Sequence, residues 1–260
     1  MAEYISFQPS DFFNTKLYTG TGAELAVTGV GFQPDGTWIK SRSSTEDHHF
    51  FNSVNGATKY LITNTDAAEQ TSAETLKSFD SDGYTLGTNG GVNTNTATFA
   101  SWNWKMGTTS GLTGGTITPS SYSISATAGQ SIIAYTGNGV AGATIPHGLG
   151  VTPDFFIVKN LPDSSTDWDT YQSAVANFGL TPEDKYLILN ASGAIGDNTF
   201  WNDTAPTSTV FSVGNASKQN ESGKTYVAYC FASVKGYSQF GGYTGNGNAD
   251  GAFIYIGFRP

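Results

Sequence analysis

Acidic residues beside histidines are the combination in this sequence that would suit a transition metal. Glu46-Asp47-His48-His49 holds two of the three histidines of the chain. Adjacent residues of a strand point to opposite faces, so two neighbouring imidazoles chelate one ion poorly. The equivalent stretch of the internal repeat described below, residues 167–170, contains no histidine. We therefore interpret residues 46–49 as a polar loop that enters a strand, and we predict no metal site.

Other chemical signals are equally incomplete. Asp80-Ser81-Asp82-Gly83 begins like a calcium loop, but its twelfth position is Gly91 where an EF-hand needs a glutamate. A turn that opens a strand is the simpler interpretation. His147 lies in a Gly-Leu-Gly context without a nucleophile elbow or a zinc-protease helix. A glycosidase needs only two carboxylates, and no pair stands out. We predict no catalytic residue and no cofactor.

Two tryptophans lie in polar segments that have no strand alternation: Trp168 in Asp-Trp-Asp and Trp201 in Phe-Trp-Asn-Asp. An aromatic ring beside polar side chains can pack on a sugar, which makes a glycan site one interpretation. Large rings in loops also close the end of a sandwich or fill a subunit interface. We favour a core or interface role for both residues over a glycan site.

The amino-terminal segment carries three further candidate interaction residues, Phe7, Phe12 and Phe13. A lead of 17 residues has no core of its own in which to bury them. We expect residues 1–17 to form an arm whose phenylalanines pack against another protein.

The composition excludes several classes of partner. The chain has 260 residues with 32 Gly, 13% charged and 13% aromatic residues, and a net charge of −9. A phosphate backbone or an anionic membrane surface attracts clustered lysine and arginine, so we expect neither nucleic acid nor such a surface as a partner. The longest apolar runs, such as residues 155–158, are far too short to span a bilayer, so we expect no membrane insertion. Cys230 is the single cysteine, so no intrachain disulfide can form. The first residues lack the basic and apolar regions of an export signal.

An internal repeat organises the sequence. Tyr18-Thr19-Gly20-Thr21-Gly22 recurs at 135–139 and at 243–247, and residues 93–104 align without a gap with residues 220–231. We predict two tandem domains with the following boundaries: an arm at 1–17, a first repeat at 18–106, a Gly/Thr/Ser linker at 107–121, a second repeat at 122–240, and the start of a third repeat or a swapped strand at 241–260.

Each repeat has the pattern of antiparallel strands. In residues 99–104, period-two alternation puts Ala100, Trp102 and Trp104 on one face, and we predict that this face and its counterpart (Val227, Tyr229 and Phe231) point into the core. The opposite faces carry no charge, so we expect them to pack on a further sheet, a loop or a neighbouring subunit. The predicted fold class is all-β, with tandem antiparallel, jelly-roll-like β-sandwiches, long loops and little helix.

These motifs resemble a repeat domain of bacteriophage virion proteins that are labelled tail fibre or structural protein. The resemblance rests on Tyr-Thr-Gly-Asn-Gly at 135–139, His-Gly-Leu-Gly-Val-Thr-Pro-Asp at 147–154, Phe-Asp-Ser-Asp-Gly-Tyr at 79–84 and Tyr-Val-Ala-Tyr-Cys-Phe at 226–231. It implies a β-sandwich virion component and supplies no catalytic or binding residue.

The resemblance and the composition together predict a structural protein of a phage virion that is not an enzyme, assembled in the host cytoplasm and released by lysis. A tail-fibre or host-attachment-fibre segment is our first expectation. A capsid decoration or head fibre protein is the first alternative, and a protein that binds or cleaves host-surface glycan is the second. We expect a homotrimer joined to other virion proteins through the arm. The tail at 253–258, apolar on both faces, either continues into a third domain or completes a sheet elsewhere.

Overall fold

The computed structural model describes residues 5–258. Of the residues it describes, 35% lie in strands and 9% in helical turns, and the sheets are antiparallel, so the chain is an all-β protein as predicted. Within these residues, no helix is long and apolar enough to cross a membrane.

The first repeat runs to Trp104 and contains one helical turn, α1 (Gly90–Asn93), besides a 3₁₀ turn at Pro9–Asp11. Its strands are β1 (Phe13–Thr19), β2 (Leu25–Thr28), β3 (Gly36–Ser41), β4 (His49–Asn52), β5 (Lys59–Ile62), β6 (Gln70–Thr71), β7 (Leu76–Asp80), β8 (Gly83–Leu86) and β9 (Thr98–Trp104).

The second repeat contains α2 (Ser217–Asn220) and three 3₁₀ turns, Ser173–Phe178, Pro182–Asp184 and Thr199–Trp201. Its strands are β10 (Ser121–Ser125), β11 (Gln130–Thr136), β12 (Ala143–Pro146), β13 (Phe155–Asn160), β14 (Asp169–Gln172), β15 (Lys185–Ile188), β16 (Gly196–Asp197), β17 (Val210–Val213) and β18 (Thr225–Phe231).

Each repeat is a sandwich of one large and one small sheet. The large sheet has the order β1-β9-β3-β4-β5-β6 in the first repeat, and β11-β18-β13-β14-β15-β16 follows the same path in the second, where β10 adds an outermost strand. The small sheets are β2-β8-β7 and β12-β17. An apolar core lies between the two sheets of each repeat, with Ile39, Phe51 and Phe99 in the first and Phe156, Tyr226 and Phe211 in the second.

The repeated glycine motif forms the same turn in both sandwiches. Asn93 accepts a hydrogen bond from the Thr21 amide and donates to two carbonyl oxygens, and Asn220 does the same with the Asn138 amide. A Cβ atom on Gly20 would lie 2.2 Å from the Thr94 carbonyl oxygen, which only glycine avoids. The motif therefore recurs because the turn passes against backbone and is held by a buried asparagine.

The central strands β9 and β18 correct one sequence-based prediction. Phe99, Ser101 and Asn103 are completely buried and face the core of the first repeat, whereas Trp102 and Trp104 are half-buried on the other face. The predicted core face was wrong in the first repeat because the buried polar groups find partners: the Asn103 amide donates to the Ser101 hydroxyl and the Asn14 carbonyl. On the corresponding face of β18, Val227 and Tyr229 are buried as predicted, but in the cluster between the repeats. The uncharged face does pack on a further sheet, which is the small sheet of its own repeat.

The structure also moves the boundary predicted at residue 17, which falls inside β1. Residues 13–19 pair with β9 over seven positions, so this part of the predicted arm belongs to the first sandwich. Residues 1–4 of the arm lie outside the described residues.

The segment at 107–121, predicted as a linker, runs along the second repeat. Its Thr108 bridges to Ile124, and its Ile117 is buried in the second core. The described residues after Phe240 form no strand, contrary to the alternating pattern of 253–258, since no neighbouring strand pairs with them; residues 259–260 of that predicted unit are outside the described range.

Candidate functional site: the face between the repeats and its open end

The two large sheets pack on each other through the faces that turn away from their own small sheets. Leu61 of the first repeat and Met106, just after β9, meet Ile132, Val227 and Tyr229 of the second repeat in one apolar cluster. The Phe50 ring lies edge-on to Tyr229 with centroids 4.9 Å apart. This inter-repeat interface buries apolar surface on both sides, so the two sandwiches form one body.

A carboxylate at the edge of the interface joins the repeats through hydrogen bonds. Asp35 accepts from the Ser53 hydroxyl of its own repeat at 2.7 Å, from the Ser123 hydroxyl of β10 at 2.9 Å and from the Met106 amide at 2.8 Å. Hydrogen bonds to a charged acceptor are among the stronger ones. Asp35 therefore fixes the segment that leads from one sandwich into the other.

Two side chains of the second repeat reach into the loop that follows β5. The Lys159 ammonium donates to the carbonyls of Asp66 (3.2 Å) and Thr166 (2.6 Å), and burial lowers the pKa of Lys159 to about 8. The Trp168 indole donates to the carbonyls of Ile62 and Thr65. Both groups are buried and satisfied, which makes them structural anchors of the interface.

Asp169 is the first residue of β14 and carries a carboxyl group with a strongly raised pKa. It is fully buried, and burial raises its pKa to about 7. The Gln219 amide donates to one carboxylate oxygen at 2.5 Å, and the other oxygen lies 3.9 Å from the Lys218 ammonium without a hydrogen bond. Lys218, Asp167 and Lys159 are its ionisable neighbours, and the described residues contain no cluster of three or more potential metal ligands.

The two large sheets leave between them an apolar cavity of about 400 Å³, the inter-repeat groove, which the contact residues Phe50 and Tyr229 also line. Its lining includes Phe13, Trp38, Trp104, Phe155, Leu189 and Phe240. Aromatic rings surround this space with few polar groups, so it suits an apolar side chain better than a charged substrate.

The outer face of the first large sheet continues past the groove as an aromatic platform, which we define as Trp38, Lys40, His48, Trp102 and Trp104. The rings of Trp38 and Trp102 are 5.9 Å apart at an angle of 53°. The Trp38 indole nitrogen is buried without a hydrogen-bond acceptor among the described residues. At the equivalent places of the second repeat, Tyr229 and Lys159 are buried and bond to the first repeat, and Ile157 is half-buried beside them.

The structure does not bring the predicted site residues together. Trp168 and Trp201 are each 1% exposed, so neither ring can pack on a sugar. Trp201 lies in the second core against Phe156, while Trp168 lies in the inter-repeat interface. Phe7 packs on Phe12 and Tyr237, all within this chain.

Phe13 begins β1 and packs on Trp104. The three amino-terminal phenylalanines are therefore half-buried against their own chain, and they retain exposed area.

The motifs considered for chemistry have structural roles. His49 is buried in β4, and burial lowers its pKa. Asp82 accepts from the amides of Gly29 and Gly31, which lower its pKa, and it lies in the turn between β7 and β8, as the sequence predicted. His147 is buried and bonds backbone groups of Thr207 and Leu149.

Sequence reasoning missed the aromatic platform. Trp38 lies in a short strand whose sequence shows no distinguishing feature, and Trp102 is on the face that the sequence predicts to point into the core. The signal for the platform is that Trp38 and Trp102 lie directly opposite each other on adjacent strands. This signal can be recognised only once the pairing of β3 with β9 is known.

The fold and this surface define an all-β protein of two tandem sandwiches with an aromatic outer face. Over residues 8–260 the sequence matches a family described as a domain of unknown function, DUF7483, and the chain belongs to that family. No curated protein and no solved structure matches the chain.

Proposed function

We propose that the chain is a structural, non-catalytic protein of a phage virion, and specifically a segment of a tail fibre or host-attachment fibre. The observation that carries the proposal is the inter-repeat interface, in which two sandwiches of the same strand order are joined face to face. Such an arrangement gives a stiff building block from a repeated unit, and stiffness along a repeat is what a fibre needs.

Two further features support this role. The resemblance of the repeat motifs to phage virion proteins covers nearly the whole chain. The inter-repeat groove and the aromatic platform together form a surface that is rich in aromatic rings and accessible to a partner. Such surfaces are typical of protein–protein contacts.

Immunogold electron microscopy tests the proposal. Antibodies raised against the purified chain are applied to phage particles from a lysate that contains this protein. Label on the fibres supports the proposal, whereas label on the head supports the capsid decoration alternative. Particles without label contradict a virion location.

A specific observation also favours glycan binding as a second function. On the aromatic platform, the half-buried rings of Trp38 and Trp102 lie beside Lys40 and His48, which could donate hydrogen bonds to hydroxyls. This site replaces Trp168 and Trp201, which are buried.

Titration calorimetry with host-surface oligosaccharides tests the second function. If it is right, Trp102→Ala weakens binding at least about tenfold, or about 1.4 kcal/mol. The matched control is Tyr243→Ala, which removes a ring that is 65% exposed far along the tail. Equal affinity of Trp102→Ala and the unchanged protein would contradict glycan binding at the platform.

A further inference from the structure

The two repeats differ at one edge of their large sheets. In the second repeat, the edge of β11 is covered by β10, which pairs with it over five residues. The equivalent strand of the first repeat, β1, pairs only with β9, and no described strand pairs with its other edge. With seven residues, β1 is the longest strand at a sheet edge in the described part of the chain. An exposed edge of this length is a template for a further strand.

The carboxyl-terminal segment has the opposite property, because it is a strand-like sequence without a sheet. Residues 252–258 read Ala-Phe-Ile-Tyr-Ile-Gly-Phe and carry no charge. Phe253 is 90% exposed and Tyr255 81% exposed, and the segment pairs with no described strand. Aromatic and β-branched residues favour strands, and this composition is costly to leave in water.

We propose that residues 252–258 of a second copy of this chain add to the free edge of β1 as an extra strand, in the place that β10 occupies on β11. Main-chain hydrogen bonds would provide the affinity, as in other strand additions. The apolar side chains of the donated strand would cover Leu17, which is 58% exposed on β1. The second repeat shows that this sheet architecture accepts a strand at this edge.

The segment before the donated strand is suited to reach another molecule. Residues 241–251 include five glycines, and residues 241–250 are all exposed. An extended chain covers about 3.3–3.6 Å per residue, so these residues span roughly 35 Å. Donor and acceptor are different surfaces, so repeated donation forms a closed ring, such as the expected trimer, or an open filament. The inference does not depend on a virion location.

Light scattering on the full chain and on a chain that ends at residue 249 tests the proposal first. The full chain should form oligomers at micromolar concentration, and the shortened chain should be a monomer with unchanged circular dichroism, because the deleted residues pair with no described strand. A monomeric full chain, or the same oligomer in both proteins, would overturn the proposal.

Disulfide trapping locates the contact and identifies its source. Tyr255→Cys is combined with Leu17→Cys, and with Thr15→Cys or Thr19→Cys to allow for a shifted register. The matched control combines Tyr255→Cys with Val140→Cys, since Val140 is 59% exposed on the second repeat. The native thiol, Cys230, is buried and does not interfere.

At least one β1 pair should give about tenfold more covalent dimer than the control under mild oxidation. Dimer no more abundant than in the control would overturn the contact with β1. A disulfide within one chain, seen as a reductant-sensitive monomer, would overturn donation by a second copy. Because these readouts need no phage particle, their failure is distinct from failure of the virion proposal.

Discussion

Trp102 and Tyr229 occupy the same position of the central strand in the two repeats, but their environments differ. Tyr229 is 3% exposed, packs on Phe50 and accepts a hydrogen bond from the Asn52 amide at 3.0 Å. Trp102 is half-buried on the aromatic platform. The strands and registers match, so the difference arises from the neighbour: Phe50 and Asn52 of the first repeat cover Tyr229, whereas Trp102 is not part of the apolar cluster between the repeats.

The comparison shows that burial of an outer-face ring is a property of the assembly of repeats and not of the strand that carries it. In each repeat, the inner face packs on the small sheet of the same unit, which local sequence can encode. The outer face depends on contacts between residues more than a hundred positions apart.

Replacing the covered ring should have the largest effect. Tyr229→Ala removes a ring from the inter-repeat interface and should lower the free energy of unfolding by about 3–5 kcal/mol. Trp102→Ala at the equivalent position should cost about 1 kcal/mol, because its ring is already partly in water. Urea unfolding monitored by circular dichroism measures both. Similar costs for the two variants would mean that the outer faces are equally buried in solution.

The pH dependence of two equivalent buried positions should have opposite signs. Burial raises the pKa of Asp169 to about 7, so the folded state holds a proton that the unfolded state releases near pH 4. Its contribution to stability is present below pH 4 and is lost as the pH rises towards 7. Relative to Asp169→Asn, the unchanged protein should lose about 3–4 kcal/mol over this range.

His49 occupies the equivalent position in β4, and burial lowers its pKa. The folded state therefore resists protonation, and stability should fall as the pH drops below the unfolded value of about 6.5. Urea unfolding from pH 4 to 8 of the unchanged protein, Asp169→Asn and His49→Gln separates the two contributions. Parallel curves for all three proteins would contradict both assignments.

The turn asparagines should be equally important, because their hydrogen bonds are the same in both repeats. Asn93→Ala or Asn220→Ala leaves one amide and two carbonyls without a partner and should cost about 2–3 kcal/mol. Thermal unfolding of the two variants provides the test. If the losses of unfolding free energy in the two variants differ by more than about 1 kcal/mol, the motif stabilises the two repeats unequally.

The smallest effect concerns the Asp35 connection. Ser123→Ala removes the 2.9 Å bond to Asp35 between the repeats, together with the 3.0 Å bond that the Ser123 hydroxyl accepts from the Gly107 amide, and should cost about 1–2 kcal/mol. The comparison variant is Ser173→Ala, which removes a 3.2 Å bond from Ser173 to Asp154, the carboxylate equivalent to Asp35, within the second repeat and should cost less than about 1 kcal/mol. Urea unfolding measures the loss of stability in both variants. A larger loss for Ser173→Ala than for Ser123→Ala would contradict the role of Asp35 in connecting the two repeats.

The sequence allowed the all-β fold and the alternation in β9 and β18 to be predicted, because period two is a local pattern. It did not reveal which face is inner. Ser101 and Asn103 read as outward residues, since their burial depends on partners such as Asn14, which is distant in sequence. Likewise, the loop context of Trp168 could not reveal its carbonyl acceptors in the loop after β5. The free edge of β1 became visible only when its counterpart β11 was seen with β10.

Cys230 gives the second repeat a natural probe of its opening kinetics. The thiol is fully buried in β18 between β11 and β13, and burial raises its pKa to about 12. A thiol reagent therefore reacts only with molecules in which this strand is transiently separated from its neighbours, at a rate proportional to the population of that open form. The Cys230 side chain lies in the core of the second repeat beside Tyr226 and Ala228, so the labelling rate reports how often that sandwich itself opens, and not how often the two sandwiches separate.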